Sequence, residues 1–160
     1  MTNYSLEPIG YVNKEGELCR LRILPECQPG LIGLQGFSHL WVLWWAHLSN
    51  PKQRREQLNL GQLFRHGPHD VGVFSTRAPS RPNPIMISTI KVLSLDSENG
   101  LIQTPFIDAE EGTPIIDIKP YYPMDRVEQC QTPAWCHHWP KWFETAATYH
   151  WEDEINFDKP

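Results

Sequence analysis

The 160-residue sequence predicts one mainly β domain, an antiparallel barrel or sandwich with little helix. Three observations predict it. Short apolar runs alternate with polar residues at close spacing. Fifteen prolines interrupt any long helical period. Turn-forming clusters such as Ser97-Glu98-Asn99-Gly100 separate the runs.

The segment "PIGYVN" (Pro8–Asn13) reads as a first strand and "GELCRLRIL" (Gly16–Leu24) as a second. "PECQPGLIGLQGF" is a turn-rich connection with room for one helical turn. "SHLWVLWWAHL" (Ser38–Leu48) is so uniformly apolar that it predicts a strand buried on both faces. The segment from Asn50 to His69 is polar and irregular, the least ordered part of the expected map. "DVGVFST" predicts a short strand, and Pro84–Asp108 a hairpin of two strands turning at Asn99-Gly100, the pair that supplies positive φ. "AEEGTPIIDIKPYYP" predicts a loop, a strand and a proline stop. The tail from Val127 holds the one plausible helix, around Trp139–His150.

The totals bound the function. A net charge of −5 argues against a generally basic nucleic-acid surface and leaves only local patches, such as "QRRE" at Gln53–Glu56. No basic start with an apolar run opens the sequence, and no window has the length of a membrane span, so a cytoplasmic protein with no membrane partner is expected. Four cysteines in that compartment predict thiols rather than disulfides. There is no dinucleotide fingerprint, P-loop or nucleophile elbow. Cys130, Cys136, His137 and His138 are good zinc donors, but a C-x5-C followed by adjacent histidines matches no standard ligand spacing, so no metal is expected.

The informative stretch is "FSTRAPSRPNPI" (Phe74–Ile85). Pro79, Pro82 and Pro84 forbid a regular helix or a central strand, leaving a stiff loop that carries Arg77, Arg81 and Asn83. Such a loop loses little entropy on ordering, which suits a grip on a small polar ligand. Polar groups also stand at the strand ends in "FSHLWVLWWAH", "FIDAEEGTP" and "IIDIKPYYP", and in a β protein strand ends converge on one mouth.

Three segments, "GLQGFSHLWVLWWAH", "GVFSTRAPSRPNPI" and "DAEEGTPIIDIKPYYP", resemble the TrmO (TsaA-like) family over roughly Ile9–Pro123. The resemblance implies a small antiparallel β-barrel with no Rossmann sheet, short peripheral helices and a helical C-terminal tail. It divides the chain into a barrel domain over residues 1–126 and a tail over 127–160. It implies a homodimeric methyltransferase that uses S-adenosylmethionine to methylate N6-threonylcarbamoyladenosine at position 37 of a tRNA. By resemblance, His47, Leu48, Arg77, Ile87, Asp108, Ala109, Glu110 and Glu111 contact the cofactor. Arg81, Asn83 and Lys119 stand on the substrate side. His39, Asn83 and Asp117 are candidates for catalysis, with His47 and Asp108 as further candidate bases. An RNA acceptor would call for a basic rim, from Arg54, Arg55 and Arg65.

The sequence departs from the family pattern in places. Met86 stands where the prolyl loop normally ends in glycine, and Glu111 where the second acid is usually aspartate. The Asn13–Glu17 turn is too short for the family's Arg-Gln-Pro loop; "CQPGL" (Cys27–Leu31) is similar but lies elsewhere in the sequence. Two other readings stand beside this one: a small-molecule or thiol acceptor on the same cofactor site, motivated by the acidic balance and the tail cysteines, and a non-catalytic sensor of S-adenosylmethionine or metal with the tail as a regulatory element.

Overall fold

The computed structural model describes residues 4–49 and 51–156; Asn50 and the ends of the sequence readings at both termini lie outside them. Seven strands form one antiparallel sheet: β1 (Gly10–Glu15), β2 (Leu18–Ile23), β3 (His39–Trp45), β4 (Ile85–Lys91), β5 (Ser94–Asp96), β6 (Leu101–Thr104) and β7 (Pro114–Pro120), in the order β4-β3-β7-β1-β2-β6-β5. β1 and β2 make a hairpin over Gly16–Glu17, where Gly16 takes φ 60° at the first turn position, as a two-residue turn of the II′ kind requires.

The sheet curls toward a barrel, and the chain itself joins its edges. β4 pairs with β3, β5 pairs with β6, and only Val92 and Leu93 separate β4 from β5. The expected Pro84–Asp108 hairpin is therefore half correct. The run bends at Val92, where the Val92 N–H reaches the Ser38 carbonyl, and only its second half pairs with β6. At the turn, Gly100 alone has positive φ (67°), while Asn99 donates to the Asp96 carboxylate. Inward side chains from every part of the curl share one core: Val12, Leu21, Leu40, Val42, Ile90, Ile102 and Ile115.

β3 is central, between β4 and β7, but only its inner face is fully buried. Leu40, Val42 and Trp44 point inward. Trp41, Leu43 and Trp45 are half-covered outside, Trp41 by Tyr121 (centroids 5.6 Å) and Trp45 by the Arg55 guanidinium (5.8 Å). The expectation of burial on both faces fails because, among the described residues, single side chains such as Tyr121 and Arg55 rather than a second sheet or long helix cover the outside. β7 carries an irregularity opposite Leu43 and Trp44, where Leu43 faces Asp117 but Trp44 faces Ile115.

Two further expectations are corrected. "DVGVFST" is a single 3₁₀ turn (Val73–Ser75) with one bridge, Asn59 to Gly72, because its only partner is the short Leu58–Gly61 segment. The tail is not a long helix. It keeps one α-helical turn, α2 (Phe143–Ala146), after α1 (Lys52–Glu56) earlier in the chain, and one 3₁₀ turn at Trp151–Asp153. Pro133 and Pro140 break the tail's backbone, and aromatic packing orders it instead. Trp135, Trp139, Trp151 and Phe64 pack with centroids 4.8–5.4 Å apart, Trp135 stacked on Phe64 and the other pairs edge-to-face. Beneath them lies a buried carboxylate. Glu154 accepts hydrogen bonds from Tyr149 Oη (2.7 Å), His138 Nε2 (2.8 Å) and Trp139 Nε1 (3.1 Å). The same tail pins residues 62–65: Arg65 N donates to Glu154 O (2.8 Å), Asn156 N to Leu63 O (2.8 Å) and Asn156 Nδ2 to Gln62 O (2.9 Å). The segment expected to be least ordered is thus held by contacts about 90 residues away in sequence. All four cysteines are free thiols.

Candidate active site

A cleft of about 260 Å³ opens where β3 runs out. After Trp45 the chain ties back to the prolyl loop through Ala46 N and Pro84 O (2.8 Å), then turns tightly over His47–Ser49. The cleft is lined by three parts of the chain: Trp44 and the run from Ala46 to Ser49; Arg77, Pro79 and Met86; and Asp108, Ala109, Glu110 and Thr113.

Each wall has a local cause. The prolyl loop is braced from within. Thr76 Oγ1 donates to Val73 O (2.8 Å) and accepts from Ala78 N (3.1 Å), while Arg81 Nη2 donates to Val73 O (3.0 Å) and Thr76 O (3.1 Å). From outside, Arg55 Nε donates to Pro82 O (2.9 Å). The acidic loop is tied to the first hairpin through Gly112 N and Val12 O (2.8 Å). Glu111 accepts from the Lys14 N–H and from Asn13 Nδ2 (2.9 Å), and these bonds, the Lys14 amide first, hold its carboxyl below the usual range. Glu110 meets Lys14 Nζ at 3.2 Å. On the inner wall, Trp44 Nε1 is anchored by Ser88 Oγ (2.9 Å), and His47 Nδ1 lies 3.3 Å from the Thr113 hydroxyl.

The structure brings together His47, Leu48, Arg77, Asp108, Ala109 and Glu110. Arg77 is exposed and enters no ion pair among the described residues, so its charge is available to a ligand. Ile87 lies on the opposite face of β4 from Met86, and Glu111 is occupied by the hairpin; neither lines the cleft. Arg81 points back into its own loop. Asn83 is exposed beside the loop, its carbonyl accepting from Ile85 N (2.7 Å). Asp117 and Lys119 pair with each other at 2.6 Å on the outer face. His39 starts β3, six strand steps or about 20 Å at ~3.3 Å per residue from Trp45, after which the chain turns to His47. Cys27–Leu31 forms a 3₁₀ turn away from the cleft. Of the expected basic rim, Arg55 and Arg65 make internal bonds, Arg65 to Glu152 O (3.2 Å), and Arg54 is exposed. Among the described residues, no three His, Cys, Asp or Glu side chains gather to hold a metal. Cys136 and His138 are instead bonded within the tail, and Cys130 is exposed.

Trp44, Ala46, Ser49, Pro79 and Thr113 complete the cleft and were not singled out from sequence. Period-2 alternation along β3 does carry a signal for Trp44 and Ala46, since it puts both on the inner face with Leu40 and Val42.

The family model of the tRNA-methyltransferase O N-terminal domain matches residues 7–125, which contain every cleft residue. The chain belongs to the TrmO family. A probable S-adenosyl-L-methionine-binding protein of Methanothermobacter thermautotrophicus is 37% identical over 107 residues, 66% of this chain and 71% of that one. The human tRNA (adenine(37)-N6)-methyltransferase is 33% identical over 138 residues, 74% of this chain and 30% of its own length. A crystal structure of TrmO from P. aeruginosa superposes with a TM-score of 0.64 at 28% identity, covering 84% of this chain and 62% of that one. This TrmO-family chain therefore spans less than two thirds of that solved relative. Met86 is buried and forms part of the cleft wall beside Trp44. No helix among the described residues is long and apolar enough to cross a membrane.

Proposed function

We propose that this chain is an S-adenosylmethionine-dependent methyltransferase that modifies N6 of threonylcarbamoyladenosine at position 37 of a tRNA in the cytoplasm. The observation that carries the proposal is the cleft's donor set: one uncommitted guanidinium, two carboxylates and an apolar wall on a fold of the TrmO family. These groups suit the cofactor. Arg77 would take the carboxylate as a charge-assisted pair. Asp108 and Glu110 would accept from the ammonium and ribose hydroxyls, and Trp44, Ala46 and Met86 would face the adenine.

When bound, S-adenosylmethionine supplies a methyl group on a sulfonium whose positive charge is lost on transfer. The chain's task is alignment, which the doubly braced prolyl loop serves by holding Arg77 at low entropic cost. A carbamoyl nitrogen is a weak nucleophile and needs its proton removed or its carbonyl polarised. Of the four candidate bases, His47 and Asp108 line the cleft, whereas His39 and Asp117 lie away from it. We assign the proton to one of the first two.

The homodimer belongs to the same proposal. Exposed apolar side chains stand in and around the cleft: Leu48 (63% exposed) in its wall, Phe74 (79%) in the prolyl loop and Ile87 (44%) on the other face of β4. A second copy packed there would bury them and close an open site.

Calorimetric titration with S-adenosylmethionine and with its demethylated product tests the cofactor. Methyl transfer to tRNA lacking the modification tests the acceptor, and light scattering tests the dimer. Micromolar binding, tRNA-dependent turnover and twice the chain mass are expected. Failure of either ligand to bind would overturn the proposal.

A further inference from the structure

A second and larger cleft lies at the other end of β3. Its volume is about 700 Å³, and the tail builds much of its wall. Phe37, His39 and Tyr121 come from the sheet end, Arg126 is the last residue before the tail, and Lys141, Trp142 and Phe143 belong to the tail. It is distinct from the cofactor cleft, since the two share no residue and six β3 steps of ~3.3 Å separate His39 from Trp45.

Its chemistry is specific. Trp142 is 60% exposed and Phe143 45%. His39 holds the Phe143 ring edge-on (centroids 5.4 Å) and is itself set by the Ser38 hydroxyl, 2.9 Å from Nδ1. Arg126 and Lys141 enter no ion pair among the described residues. Two carboxylates also line the cleft. Asp125 accepts from Tyr122 N (2.8 Å) and Glu144 lies on the first turn of α2; both are acidic, so the cleft is not basic as a whole and a phosphate would be met locally, at Arg126 and Lys141. Exposed π-faces beside two uncommitted cations are the combination that takes a nucleotide strand, bases stacked and phosphates neutralised. An apolar polypeptide would leave both cations unanswered.

We propose that this second cleft binds unpaired nucleotides of an RNA chain, by stacking on Trp142 and Phe143 and by phosphate contact with Arg126 and Lys141. The proposal rests on the methyltransferase reading only for the kind of macromolecule involved. It gives the tail, and His39 as a positioning residue for Phe143, a role outside the cofactor cleft.

The test is the anisotropy of a fluorescein-labelled single-stranded pentauridylate on the full chain, without cofactor, across a salt series. Affinity should fall with salt, two phosphate contacts contributing a slope near −1.4 in log–log form, at ~0.7 per contact for single strands. Trp142→Ala should weaken binding about tenfold, and Trp142→Phe, which keeps a stacking face, should restore most of it. Arg126→Ala with Lys141→Ala should flatten the slope. Bound RNA should slow alkylation of the exposed thiol of Cys130, which lines the same cleft.

S-adenosylmethionine titration of each variant separates the two proposals. Loss of RNA binding with unchanged cofactor affinity supports the second site. Cofactor binding without any pentauridylate binding at low salt overturns it, leaves the methyltransferase reading standing and opens the cleft to a polypeptide. Unchanged RNA affinity and slope in the variants overturns it as well.

Discussion

Arg81 is joined to Val73 by a hydrogen bond of 3.0 Å, from the guanidinium Nη2 to the carbonyl that opens the prolyl loop. The same nitrogen reaches Thr76 O at 3.1 Å, so one side chain fixes both ends of the turn that leads to Arg77. Arg81→Ala should cost about 1–3 kcal/mol, as loss of a charged donor to part-buried carbonyls does. It should also weaken S-adenosylmethionine binding without touching the ligand. Arg81→Lys should recover little, because an ammonium lacks the planar fork. Chemical denaturation with parallel calorimetry checks both, and unchanged cofactor affinity in Arg81→Ala would remove the brace from the mechanism.

Arg77 should show the opposite pattern. It is exposed and makes no internal ion pair among the described residues, so Arg77→Ala should change stability by no more than about 0.5 kcal/mol. Cofactor affinity should nevertheless fall about tenfold or more, through loss of one charge-assisted contact. Full affinity in this variant would mean that the carboxylate is held elsewhere.

Glu154 makes stability depend on pH. Hydrogen bonds from His138, then Tyr149, with Trp139 adding a third, hold its pKa at about 2. The folded value lies below the unfolded value of about 4.3, so the stabilisation is complete above pH ~4.3 and is lost as pH falls through about 2. The midpoint difference between the parent chain and Glu154→Gln should therefore shrink between pH 5 and 2. At neutral pH the variant should lose about 1–3 kcal/mol. A difference that stays constant across that range would rule out the ionised carboxylate as the cause.

Gly10 marks a close approach of strands. A Cβ there would press on the Arg22 carbonyl oxygen, in a strand paired on both sides with Ile23 and Ile115. Neither neighbour can move freely, so Gly10→Ala should cost about 2 kcal/mol or more, read as a lowered denaturation midpoint.

Much of the cleft was legible because its residues occur in short contiguous motifs. Arg77 sits in a loop whose prolines announce it, and Asp108 to Glu110 sit just before a Gly-Thr-Pro turn. Other motif residues could not be sorted from sequence. Arg77 and Arg81 differ only in which way the side chain points, toward the cleft or into the loop. Ile87 and Met86 are neighbours that strand alternation sends to opposite faces. His39 and His47 share one strand-and-turn segment but occupy its opposite ends, in different clefts.

By itself the sequence determined the strand-rich class, the stiffness of the prolyl loop and the family, because these follow from alternation, proline chemistry and short motifs. Tertiary structure alone decided the rest. It bent the Ile85–Asp96 run between two partners and turned Arg81 inward. It also folded a proline-broken tail around Glu154 to pin residues 62–65 and wall a second cleft. The physical reason is common to all three. Local sequence sets which conformations a segment can adopt, but the burial of a carboxylate or the partner of a strand edge is fixed by groups distant in the chain, whose contacts exist only once the whole is folded.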